Sequence, residues 1–100
     1  MATEQYLLRT RCTAGWLIIT DEAVRLERAG GAGSRVPGAM AQMMPRQGIV
    51  GATMKVRLPA LFGHGGATDL TFTNMGGMML VARYVKPADA RTALALLGYA

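Results

Sequence analysis

The sequence predicts a mainly β fold: an antiparallel sheet of about six or seven short strands closed by one C-terminal α-helix. Three observations predict it. Short β-branched, aromatic or alternating apolar runs recur along the chain, separated by clusters of Gly, Asn and Asp. No helical segment falls between them, so the strand-and-helix alternation that a parallel sheet needs is missing. After Pro87 the hydrophobic spacing changes from the two-residue repeat of a strand to the longer repeat of a helix.

Tyr6 to Arg11 is a short mixed segment. Trp16, Leu17, Ile18, Ile19 and Thr20 follow as a continuous run of the kind found in well-buried strands, which puts Trp16 in the expected core. Thr20, Asp21 and Glu22 interrupt it. Val24 and Leu26 then alternate with Arg25 and Glu27, so the two runs read as a hairpin whose second strand has one wet face. Gly30, Gly31, Gly33 and Ser34 make a flexible loop. In the stretch from Val36 to Gln47, Pro37 and Pro45 bracket Met40, Met43 and Met44 at spacings that suit a single helical turn.

From Thr53 to Leu58 the strand pattern returns, with Met54, Val56 and Leu58 on one side and Lys55 and Arg57 on the other; Pro59 ends it for want of a ladder donor. A loop at Gly63, His64, Gly65 and Gly66 leads to a strand in which Leu70 and Phe72 alternate with Asp69, Thr71 and Thr73. Asn74, Met75, Gly76 and Gly77 supply a tight turn, and Met78 to Val85 is the next strand. Pro87 suits the first turn of a helix, Asp89 sits where the macrodipole favours an anion, and Ala90, Ala93, Leu94 and Leu97 share one face. Gly98 stops the helix.

One hundred residues, 51% hydrophobic and 17% charged, are enough for one compact domain over residues 1–100 and leave no room for two. No apolar run approaches the ~18 residues of a membrane span, and Glu4, Arg9 and Arg11 do not fit a signal peptide, which points to the cytosol. A single cysteine, Cys12, excludes an internal disulfide and a multi-cysteine metal site; a single histidine, His64, limits imidazole chemistry to one group. The glycine clusters lack the Lys-Ser/Thr of a phosphate loop and do not lead from a strand into a helix. Asp21 and Glu22 are adjacent in a strand turn, where successive side chains diverge. No catalytic residue, cofactor or metal is therefore expected.

The order of these pieces resembles the bacterial pleckstrin-homology-like (PH-like) domain family. Trp16 to Asp21 with Val24 and Leu26, then Leu61-Phe62-Gly63 before a glycine loop, Leu70 to Thr73, Gly76-Gly77, and Val85-Lys86-Pro87 opening a helix carry the resemblance, over about Gly15 to Leu97. It implies a strongly bent, seven-stranded antiparallel sheet in two halves, a partly open barrel, with the helix plugging one open end. It also implies that the turn between the first two strands, here Cys12 to Gly15, is the usual place for anionic ligands. Departures are Glu22 and Ala23, where family members often carry basic residues, and the methionines at Met40 to Met44.

Two candidate surfaces follow. Arg9 and Arg11 share one side of an extended strand beside that turn, and Arg25 lies on a neighbouring strand, so the three would form an anion- or lipid-binding patch in a chain of formal net charge +5. The plain alternative is that they solvate an outer face. The methionine set Met40, Met43, Met44, Met75, Met78 and Met79 suits adaptable binding as well as core gaps, and Met40, Met43 and Met44 are taken from it as a candidate interaction surface. Nucleic acid is not expected as a partner, since Trp16 and Phe72 are assigned to the core and no recognition helix is present. The expected function is a non-catalytic binding or assembly module acting by protein–protein interaction or self-association; the alternative is a basic adaptor on the inner membrane face, binding anionic headgroups.

Overall fold

The computed structural model describes residues 6–13, 15–28, 39–59 and 65–99. They form β1 (Tyr6–Cys12), β2 (Gly15–Thr20), β3 (Ala23–Arg28), β4 (Ala39–Pro45), a short 3-10 turn (Arg46–Gly48), β5 (Ile49–Leu58), β6 (Ala67–Asn74), β7 (Met79–Val85) and α1 (Pro87–Leu96). The seven strands make two antiparallel sheets, a four-stranded one in the order β1-β2-β3-β4 and a three-stranded one in the order β5-β6-β7, not closed into a barrel. This seven-stranded antiparallel arrangement with a C-terminal helix is the predicted fold class.

The core forms where the apolar faces of the two sheets meet the helix. Leu17, Ile19, Val24 and Met44 from the first sheet pack with Leu70, Phe72, Leu80, Ala82 and Val85 from the second, and Ala90, Ala93 and Leu94 of α1 close one end. The predicted helix face is therefore the buried one. Thr10 donates from Oγ1 to Asp89 at 2.7 Å, Arg46 donates to the Leu96 carbonyl, and the Tyr99 hydroxyl donates to the Ile49 carbonyl at 3.3 Å, so polar contacts hold both helix ends. The β2–β3 turn is held locally: the Thr20 hydroxyl accepts from the N–H groups of Glu22 and Ala23 at 3.1 and 3.0 Å.

Two readings are corrected by the pairing, and one strand shows an exposure that its pattern leaves open. The residues 39–45 that suited a helical turn form β4 instead, with Met44 opposite Val24, Met43 opposite Arg25 and Gln42 opposite Leu26. A lone helical turn leaves most of its backbone groups unpaired, whereas β3 offers a ladder along the whole segment; Pro45 sits at the strand's last position, where a missing donor costs least. Trp16 is outside the core. In β2 the side chains alternate, so Leu17 and Ile19 enter the core while Trp16 and Ile18 lie on the opposite face. The continuous apolar run concealed that alternation because Ile18 is itself only 1% exposed, flanked across the ladder by Arg9 and Arg25, whose methylene stems can cover it. Finally, the side of β5 that carries Met54 and Val56 is exposed beyond the core, although it continues the face of Leu70 and Phe72.

The helix ends as predicted. Gly98 has φ +84°, its N–H donates to the Ala95 carbonyl at 3.1 Å and that of Tyr99 to Leu94 at 2.8 Å, the paired bonds of a Schellman cap. No atom lies within 4 Å of where a Cβ would stand, so Gly98→Ala meets no clash and suffers only the left-handed backbone penalty. A loss of about 1–2 kcal/mol is expected in denaturant unfolding.

Tyr84 is the one non-glycine residue at positive φ among the described residues, at 60°. It falls where the β6–β7 register slips between Thr68 and Leu70. The neighbouring Arg83 carbonyl accepts from the Thr13 N–H at 2.8 Å, joining β7 to the β1–β2 turn beside this bulge.

Candidate functional site

Two surfaces stand out, one on each sheet. On the outer face of the first sheet, the register places Arg9, Ile18, Arg25 and Met43 in one row across four strands, with Arg11, Trp16 and Glu27 in the next row. The three candidate arginines therefore share one face, Arg9 and Arg25 two strand spacings apart, or about 10 Å at the backbone. Each lies against an aromatic ring. The Arg9 guanidinium carbon is 3.9 Å from the centre of the Trp16 ring, that of Arg11 is 5.1 Å from it, and that of Arg25 is 5.4 Å from the Tyr6 ring. Arg25 also donates to the Tyr6 hydroxyl at 3.0 Å and stands 3.9 Å from Glu27.

The rings matter for the chemistry of this face. A guanidinium against an aromatic face keeps its in-plane N–H donors directed outward and loses much of its freedom, so it presents a fixed, flat cation. The alternation of Arg9 and Arg11 placed the arginines on this face. The sequence reading missed that Trp16 joins them, though its position between Gly15 and the inward Leu17 carries that signal.

The methionine candidates part company. Met44 is buried in the core and drops out of any interaction surface, because β4 alternates and Met44 faces Val24. Met43 is half-exposed at the end of the arginine row. The side chain of Met40 lies outside the described residues, as do the glycine loop at Gly30 to Ser34 and the residues Leu61 to His64.

The exposed apolar surface lies on the second sheet instead. Met75 at the β6–β7 turn and Met78 and Met79 beside it are exposed, as is Val50 on the adjoining end of β5. Farther along β5, Met54, Val56 and Leu58 are 37%, 59% and 52% exposed. Since large apolar side chains scattered singly need no explanation, it is their concentration along one strand and one turn that marks a surface.

Beside this stretch, Arg57 makes a two-pronged pair with Asp69, Nε at 2.9 and 3.0 Å and a terminal nitrogen at 2.6 Å, and stacks over the Tyr84 ring at 4.9 Å. Asp69 also accepts from the Tyr84 N–H at 3.3 Å, which ties the strained bulge residue to β5 through one carboxylate. The hydrogen bonds from Arg57 hold the Asp69 carboxyl below its ordinary range. A depressed carboxylate contributes stability above its unfolded-state pKa and loses it as pH falls through the folded one. The stability difference between the native chain and Asp69→Asn should therefore shrink as the pH of denaturant titrations is lowered into the acid range. A difference that stays constant would show that the charge of Asp69 adds nothing.

Cys12 is half-buried against the core, and burial pushes its thiol pKa up, away from the reactive thiolate. Among the described residues no group of three or more His, Cys, Asp or Glu side chains could hold a metal ion, and no helix is long and apolar enough to cross a membrane. No protein-family model, curated protein or solved structure matches this chain.

Proposed function

We propose that this chain is a non-catalytic assembly module that pairs with a second copy of itself through β5. The observation that carries this reading is the state of that strand. β5 is ten residues long, stands at the edge of its sheet among the described residues, and is exposed on both faces from Thr53 to Leu58. An edge strand carries unpaired N–H and C=O groups, and natural edges are usually short, charged or covered. This one carries Lys55 and Arg57 on one face, Arg57 paired with Asp69, but presents Met54, Val56 and Leu58 as well.

Antiparallel pairing of β5 with its own copy is closed by a twofold axis, so it yields a dimer rather than an open fibre. Val50 and the exposed methionines Met75, Met78 and Met79 at the other end of the strand extend the apolar contact. Sedimentation velocity from low to high micromolar protein, at low and at high salt, tests the reading. The expected result is a concentration-dependent rise to the dimer mass that barely responds to salt, because apolar contact and backbone hydrogen bonds are little screened. Monomer mass across the whole range would overturn it.

A further inference from the structure

We infer that the outer face of the β1–β4 sheet binds single-stranded nucleic acid, with Arg9 and Arg11 on phosphates and the flat guanidinium of Arg9, backed by the Trp16 ring, as the plane on which a base stacks. The reading against nucleic acid counts Trp16 and Phe72 as core and notes the lack of a recognition helix; Phe72 is in the core, but Trp16 is on this face, under two guanidinium groups. Proteins that bind single strands combine cations that follow the backbone with aromatic or guanidinium planes on which bases stack. Here both kinds of group share one sheet surface: Arg9, Arg11 and Arg25 interleaved with Trp16 and Tyr6, with Glu27 as the carboxylate beside Arg25.

Two other polyanions suit this arrangement less well. An anionic membrane is met by aromatic side chains that reach past the charges into the headgroup layer. Trp16 instead lies partly buried beneath Arg9 and Arg11. An acidic peptide offers carboxylates but no regular π-faces to stack on the flat Arg9–Trp16 pair. A single strand supplies both phosphates and planar bases, and the chain's formal charge of +5 favours its approach.

Trp16 is the chain's single tryptophan, so its fluorescence reports on this face directly and leaves the β5 edge out of the measurement. The full chain is titrated with a single-stranded homo-oligonucleotide, with inorganic polyphosphate and with phosphatidylserine vesicles, each at several salt concentrations. The expected result is saturable quenching by the oligonucleotide that polyphosphate and vesicles do not match. If Arg9 and Arg11 neutralise two phosphates, each doubling of salt should weaken binding about 2.6-fold. Arg9→Gln and Arg11→Gln should each weaken binding and make its salt dependence shallower, whereas Arg91→Gln on the exposed side of α1 should not. Absent quenching, quenching matched by polyphosphate or vesicles, or an equal loss in Arg91→Gln would each overturn the inference.

Discussion

Phe72→Ala is expected to destabilise the chain by about 3–5 kcal/mol, the cost typical of emptying a core aromatic site. Phe72 is fully buried and packs at the centre of the cluster that joins both sheets to α1. A domain of this size has about 5–15 kcal/mol to lose, so the variant should unfold at a much lower denaturant concentration and populate the unfolded state at ordinary temperature. Trp16→Ala should behave differently. Its ring stacks on two arginines at the outer face, and partly exposed cation–π pairs of this kind contribute about 0.5–1 kcal/mol each. A total near 1–2 kcal/mol is expected for it. Equal losses in the two variants would place Trp16 in the core and remove the outer face described above.

The second large effect is on assembly. Met54→Lys combined with Val56→Lys puts charge on the free strand, the device by which natural edges avoid pairing. Both side chains are exposed in the single chain, so the fold should lose little, within about 0.5 kcal/mol per site. In a twofold dimer each substitution occurs twice and each lysine must be desolvated, so the dimer should weaken at least a hundredfold, equivalent to about 2.8 kcal/mol. The checks are far-UV circular dichroism for the fold and sedimentation for the mass. A folded double variant that still dimerises with native affinity would move the interface away from β5.

Much of the fold was legible because local patterning and tertiary demand agree. The alternation at Val24 to Glu27 and at Asp69 to Thr73, the Thr20 to Glu22 turn, the Asn74 to Gly77 turn and the Pro87-to-Gly98 helix all appear where residue chemistry requires them. The methionines of β4 were not legible. Their spacing fits a helical turn as well as a strand, and only the open ladder of β3 decides between them. For the candidate site, alternate spacing was enough to bring Arg9 and Arg11 together, and Arg25 joined them through Ile18, the residue that faces both Arg9 and Arg25.

By itself, the sequence determined the element order, the core face of the helix, and the grouping of cations on one side of β1, since periodicity and turn chemistry act within a few residues of chain. Only the tertiary structure decided which apolar residues are covered. Val56 and Leu17 look alike along the chain, but burial depends on what the rest of the molecule lays over each, and nothing among the described residues covers β5 beyond Ala52 as the helix and second sheet cover Leu17.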